Sequence, residues 1–194
     1  MKKKLLLLAA VIACIAITVT GTLAYFSAND TAHNVITTGG VNIKVVEQTR
    51  NADKTLVDFP EEGIQGVMPG TSVAKIVRIQ NTGVSEAWIR VKMDTSILDE
   101  QGEDLPLTIG DSEKTVVQFS VLTGWLDGGD GYWYYEKPVS AGEMTDTLLE
   151  EVHFSEEMGN EYQNCTANLL ICAEAVQTAN NGETVLDAQG WPEE

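Results

Sequence analysis

Histidine and cysteine are scarce in this chain of 194 residues, which holds two histidines and three cysteines. His33 and His153 do not form the His-Glu-x-x-His spacing that places two zinc ligands on one helical face. His153 alternates with apolar neighbours, which predicts a solvent-facing strand residue. No Gly-x-Ser-x-Gly elbow is present, and neither Cys165 nor Cys172 has a histidine beside it in sequence. We therefore predict no catalytic residues and no cofactor.

Cys165 and Cys172 are also poorly placed for a disulfide with each other. The six residues between them have the composition of a β-strand. Seven steps of about 3.3 Å would separate the two Cα atoms by about 23 Å, whereas a disulfide needs them within about 7 Å. We predict that the two thiols do not pair within one subunit.

Positive charge is scarce too, with 12 Lys and Arg against 29 Asp and Glu, a formal net charge of −17. Such an acidic surface repels nucleic acid and anionic lipid. The composition thus excludes nucleic acid as a favoured partner. It is typical of a protein kept soluble outside the cell.

The first 24 residues contrast with the rest of the chain. Lys2–Lys4 precede an apolar run, Leu5–Ile17, and small residues follow at Gly21–Ala24. This is the layout of a secretory signal peptide, with cleavage predicted between Ala24 and Tyr25. Cleavage would leave 170 residues with 9 basic and 29 acidic side chains, and contact with a membrane would be limited to the signal segment before it is cut.

Two alternatives to a cleaved signal remain open at this stage. An uncut helix from Leu5 to Leu23 is near the length of about 20 residues that spans a bilayer, so the segment can serve as an anchor. Val11–Cys14 loosely fits the box for lipid attachment in bacterial lipoproteins, although the apolar run continues past Cys14.

Period-two alternation dominates the remaining sequence. In Ala87–Asp94 and in Ala167–Ala175 every second residue is small or apolar, which predicts half-buried strands. Further segments rich in β-branched or aromatic residues predict strands at Val41–Gln48, Ser72–Asn81, Thr115–Leu122, Tyr132–Glu136 and Leu148–Phe154.

These strands are separated by Gly- and Pro-containing turns, and long segments of helical spacing are missing after residue 24. The pattern predicts an all-β fold, a single antiparallel β-sandwich following an N-terminal signal helix. Short helical turns are expected between Ser96 and Asp104 or around Glu156–Glu161. We divide the chain into a signal peptide (1–24), an N-terminal segment (25–40) and a β-sandwich domain (41–194).

A glycine-rich loop at Asp127–Gly131 carries two carboxylates. Asp127 and Asp130 offer oxygen ligands of the kind that calcium prefers, but the fuller ligand set of an EF-hand loop is missing. Asp in glycine-rich hairpin turns commonly has a backbone role instead. The two residues are weak calcium candidates.

An aromatic strand follows this loop, formed by Tyr132, Trp133, Tyr134 and Tyr135. One interpretation is a face that binds glycans or protein. The other places alternate rings in the core and the remaining rings on the sheet surface. The sequence does not separate the two.

The segment Gly21–Ser27 and its continuation through Asn29–Ala32, Asn34 and Gly39–Ile43 resemble the export signal and first mature residues of the TasA/camelysin family. Further similarities to clostridial members lie at Pro69-Gly70, Asn81–Gly83, Gly131–Tyr135 and Ala173–Gln177. Members of this family are processed by a SipW-type signal peptidase. The resemblance covers nearly the whole chain, and its N-terminal motif is the most specific part.

The resemblance implies a secreted jelly-roll or immunoglobulin-like sandwich on the surface of a Gram-positive bacterium. Such subunits assemble into biofilm-matrix or cell-surface fibres. In TasA-like fibres the segment after the cleavage site is donated as a strand to the next subunit, with Tyr25, Phe26, Val35 and Ile36 as the apolar anchors here. The expected partners are copies of this chain or a homologous fibre subunit, and the signal peptidase.

Other functions remain open. Residues 25–38 can instead complete their own domain or trail as a free terminus. A surface adhesin would use the Tyr132–Tyr135 face. A camelysin-like metallopeptidase would need His33, His153 and carboxylates brought together by the fold.

Overall fold

A computed structural model describes residues 40–61, 63–64, 67–110 and 114–192. Two antiparallel β-sheets pack together and confirm the predicted all-β sandwich. The signal segment and nearly all of the N-terminal segment, including Ala24, Tyr25, Phe26, Val35 and Ile36, lie outside the described residues. The nine strands found in the described ranges are β1 (Ile43–Arg50), β2 (Leu56–Asp58), β3 (Ser72–Asn81), β4 (Ala87–Leu98), β5 (Val117–Gln118), β6 (Trp125–Asp127), β7 (Tyr132–Tyr135), β8 (Leu149–Phe154) and β9 (Thr166–Gln177).

The first sheet has the order β2-β1-β3-β8-β5 and the second the order β6-β7-β4-β9. The longest ladder joins β4 to β9, from Ala87 opposite Gln177 to Leu98 opposite Thr166. In the first sheet Ile43 of β1 lies opposite Asn81 of β3, and Ser72 at the other end of β3 lies opposite His153. The two registers define the two ends of the sandwich.

The core follows from the alternation in the strands. Ala87, Ile89 and Val91 of β4 have no exposed surface, and the inward residues of β9 pack in the same cluster. Inward positions of β1, β3 and β8 supply the opposing layer. Burial of branched side chains between two pleated sheets is the main favourable term in such a fold.

Most predicted strands are confirmed, but two local predictions need correction. The strand at Thr115–Leu122 shrinks to Val117–Gln118. A helical turn between Ser96 and Asp104 is wrong, because Ser96–Leu98 continue β4 in full register with β9. The carboxylate of Asp99 then caps a tight turn by accepting the N–H groups of Gln101 and Glu103 at 2.9 and 2.8 Å. Near Glu156–Glu161 a single 3-10 turn forms at Asn160–Tyr162.

On the outer face of β4 and β9 the half-buried prediction is confirmed at Asp94, which is exposed, but it is wrong at one end of the sheet. The C-terminal strap, residues 178–192, crosses this face and buries Trp88 and Val176. Trp88 donates its indole N–H to the carbonyl of Asn181 at 3.0 Å. Asn181 is in turn held by two hydrogen bonds with the backbone of Gln189, at 2.9 and 2.7 Å. The second sheet is therefore covered on both faces where the strap crosses it.

The Asn81 end of the sandwich is closed by one fully buried amide. The Asn81 side chain donates to the carbonyls of Ser85 and Val139, both at 2.8 Å, and accepts the N–H of Gly83 at 3.0 Å. The turn at 82–84 lies so close to residues 40–42 that a Cβ on Gly83 would meet the carbonyl oxygen of Gly40 at 2.4 Å. Only glycine fits there without a backbone shift.

Replacing Asn81 by Ala tests this closure. The substitution removes all three hydrogen bonds of a fully buried side chain, and each such bond contributes about 1 kcal/mol. We expect the free energy of unfolding, measured by urea denaturation, to fall by about 3 kcal/mol. The control is Thr82→Ala at the exposed neighbouring position, where a change within about 0.5 kcal/mol is expected. Equal effects at both positions would contradict the role of Asn81.

Candidate functional site

The aromatic strand β7 contributes little accessible surface. Tyr135 packs in the main core against Trp125, with ring centroids 5.1 Å apart. Tyr132 and Tyr134 point to the opposite face, where the C-terminal strap leaves them 8% and 6% exposed. Trp133 is half-buried. A ligand that used the whole aromatic strand would therefore have to displace the strap.

Arg90 is the centre of the cluster beneath this strap. Its guanidinium lies 3.8 Å from the centroid of the Tyr132 ring and 4.7 Å from that of Trp191, a stacked arrangement typical of arginine. Two of its nitrogens each lie 2.7 Å from one carboxylate oxygen of Glu174. Burial acts to lower the pKa of Arg90, but hydrogen bonds with Tyr134 and Glu174 outweigh it and raise the pKa. The cluster holds a permanent, paired charge.

The loop at Asp127–Gly131 uses its carboxylates in the turn itself. Asp127 accepts the N–H of Gly129 at 2.9 Å. Asp130 accepts the N–H of Tyr132 at 3.0 Å and the hydroxyl of Tyr134 at 2.7 Å. The hydrogen bond from Tyr134 is the main cause of a lowered Asp130 pKa. The backbone role predicted as the alternative to calcium binding accounts for these contacts.

The remaining chemistry-bearing residues are dispersed. The Nδ1 atom of His153 in β8 lies 3.1 Å from the Ser72 hydroxyl at the start of β3, and His33 lies outside the described residues. Across the described ranges no group of three or more His, Cys, Asp or Glu side chains is arranged to hold a metal ion. Cys165 precedes β9 and Cys172 lies within it, and the two form no disulfide with each other. Burial raises the pKa of Cys165.

An open apolar groove lies between the two sheets at the end far from Asn81. Its floor is formed by the first residues of β3 and β9, the last residues of β8, and β5. Phe59, Ile64 and Val67 form one wall. The lining residues are Phe59, Ile64, Val67, Val73, Lys75, Val117, Val152, Phe154, Ala167, Asn168 and Leu169.

Among the described residues of this lining, Lys75 is the one with a charged side chain. It points inward with the core residues Val77 and Ile79 of the same strand, and its side chain is only 6% exposed. The ammonium lies 2.7 Å from the carboxylate of Glu47 and 4.2 Å from the centroid of the Phe59 ring. A buried ion pair at the mouth of an apolar groove is costly to desolvate, so its placement calls for a reason.

Sequence reasoning missed the groove, Lys75, Glu47 and Arg90. Parity in the predicted strands carried a usable signal for two of them. Glu47 is two residues after Val45, and Lys75 is two residues before Val77. Residues two apart in a strand share a face, so both charged side chains occupy inward positions. A charge at an inward position needs a partner. The strap over Arg90 had no comparable signal.

Comparison of the chain with protein-family models, with curated proteins and with solved structures finds no match. In the residues described, no helix has the length and apolar character needed to cross a bilayer. The class established is thus an antiparallel β-sandwich, and the resemblance to the TasA/camelysin family stays a hypothesis that rests on the sequence motifs.

The effect of the Tyr134 hydroxyl on the pKa of Asp130 can be tested by substitution. A carboxyl with a lowered folded pKa adds stability above its unfolded value of about 3.9, and this contribution is lost as pH falls through the folded pKa. We expect Tyr134→Phe to raise the Asp130 pKa toward its ordinary value, measured by NMR titration of the carboxyl carbon. In the control Tyr132→Phe, whose hydroxyl contacts Glu174 instead, the Asp130 pKa should stay low. The same shift in both variants would refute the assignment.

Proposed function

We propose that this protein is a secreted structural subunit that assembles into extracellular or cell-surface fibres. Each subunit, after signal cleavage, would donate residues 25–38 as a strand to the apolar groove of the next subunit. The observation that carries the proposal is the groove itself. An extended segment docks on a sheet sandwich through backbone hydrogen bonds, while its alternate side chains fill apolar pockets.

The position of the groove supports a head-to-tail contact. The chain enters the sandwich at the Asn81 end, where Gly40 and Asn42 contact the turn at 82–84. The groove opens at the other end of β3, about 30 Å away along a strand of this length. A donor that leaves one end and an acceptor at the opposite end form a contact that does not close on itself, and such contacts generate open filaments.

The strongest competitor is docking of residues 25–38 into the groove of their own subunit. Fourteen extended residues span about 46 Å, which is enough to run the length of the sandwich. Self-docking gives monomers and neighbour docking gives filaments. The two arrangements can therefore be separated by measuring assembly.

Adhesin and metallopeptidase functions have weaker support from the described residues. The aromatic face lies largely beneath the C-terminal strap. His153 contacts Ser72, and in the described ranges it belongs to no group of three or more side chains that could hold a metal ion. Both alternatives stay predictions, to be tested by adhesion of a Trp133→Ala variant and by casein cleavage with and without a chelator.

Assembly of two chain lengths tests the fibre proposal. The chain that begins at Tyr25 should form filaments by negative-stain microscopy, at high concentration and mildly acidic pH, where part of the negative charge is neutralised. The chain that begins at Val41 keeps both sheets but lacks the donor, so it should stay monomeric. Its fold is checked by circular dichroism. Monomers from both folded chains would reject strand donation through this segment.

A mixing experiment distinguishes polar growth from aggregation. The chain that begins at Val41 retains the groove but cannot donate, so a small fraction of it should cap growing filaments and shorten them. In the Tyr25 chain, Val67→Asp places a charge in the groove wall and should block acceptance. The matched control is Leu186→Asp on the strap, at a residue that is 55% exposed, which should leave assembly intact. Equal effects of both substitutions would indicate that charge alone, and not the groove, controls assembly.

A further inference from the structure

We infer that Lys75 and Glu47 recognise a neutral carboxamide on the docked strand, and that this carboxamide is the side chain of Asn34 from a second copy of the chain. The inference rests on the proposed function, because it names the contact that would fix the register of the donated strand. It starts from the hydrogen-bonding capacity of the buried ammonium.

Lys75 has more donors than acceptors around it. An ammonium carries three N–H donors, and the described contacts of Lys75 are the carboxylate of Glu47 at 2.7 Å and the ring face of Phe59. The side chain is more than nine-tenths buried and lines the groove. An occupant that fills the groove removes water from this ammonium, and an N–H that loses water needs an acceptor in its place, so the occupant should bring one to this point.

Charge decides which kind of acceptor is suited. The pair of Lys75 and Glu47 is already neutral, and their side chains are only 6% and 4% exposed. A second carboxylate would bury a net negative charge beside Glu47, which is strongly unfavourable. A carboxamide oxygen accepts from the ammonium without adding charge, and its NH₂ group can donate to the carboxylate.

Alternation in the donor segment selects the residue. Side chains of an extended strand point alternately to two faces. One face of residues 25–36 carries Phe26, Ala28, Asp30, Ala32, Asn34 and Ile36, and it is the more apolar of the two. This face suits an apolar groove. Asn34 is the carboxamide on it, whereas Asn29 lies on the other face.

The test measures the critical concentration for filament formation of the chain that begins at Tyr25, by sedimentation. Asn34→Ala should raise this concentration about tenfold, the effect of losing one hydrogen bond to a charged group. Asn34→Asp should raise it at least as much at neutral pH, because its carboxylate faces Glu47. Asn29→Ala, the same residue type on the opposite face, should change it less than about twofold.

A double substitution tests whether Asn34 acts through Lys75 and Glu47. Lys75→Met with Glu47→Met replaces the pair by apolar side chains of similar length, a change that proteins often tolerate. In this background Asn34→Ala should have no further effect, since the interaction partner is gone. If circular dichroism shows that the double variant is unfolded, the contrast among Asn34→Ala, Asn34→Asp and Asn29→Ala decides by itself.

Three results would overturn the inference. They are equal effects of Asn34→Ala and Asn29→Ala, tighter assembly of Asn34→Asp, or sensitivity to Asp30→Ala in place of Asn34→Ala. Each of these would leave strand donation standing, because filaments would still form from the unmodified chain. Failure of that chain to form any filaments would reject the proposed function and the inference with it.

Discussion

The buried amide of Asn81 is the contact on which the arrangement of the two sheets depends. It joins the end of β3 in one sheet to Val139, whose backbone pairs with Ala87 at the start of β4 in the other sheet. The same side chain shapes the turn that receives residues 40–42. Because a fully buried amide must satisfy all its hydrogen bonds, it permits one register for these segments. Asn81 thereby closes one end of the sandwich, whereas the apolar groove lies at the other end.

The open end has a different chemistry from the core that leads to it. Inward positions of β1 and β3 near the Asn81 end carry apolar residues such as Val45, Val77 and Ile79, whereas the inward residues Glu47 and Lys75 nearer the groove are charged and form an ion pair. An apolar pair at this point would avoid the free-energy cost of burying two charges. Retaining an ion pair there is consistent with a surface that discriminates among occupants, since buried polar groups are best attested as devices that fix register.

The sequence predicted the fold better than the site, for physical reasons. Strand alternation is a local signal, so Ser72–Asn81 and the core faces of β4 and β9 could be identified from their own residues. The extension of β4 to Leu98 depends on its pairing with β9. The β-propensity of Ser96 is low, so the local sequence does not predict this extension. The groove draws its lining from five separate segments. The burial of Trp88 depends on a strap that carries few apolar residues, among them Val185, Ala188 and Trp191.

Within the proposed function, signal cleavage would release the donor segment for docking on a neighbouring subunit. A donor segment joined to a membrane-inserted helix has one end fixed, and it cannot thread along the groove of a neighbour while that end is held. Cleavage after Ala24 would release it. Since the described lining residues all lie between Phe59 and Leu169, cleavage would leave this lining unchanged. Assembly would then be limited by release of the donor alone, which places control at the membrane and growth outside it.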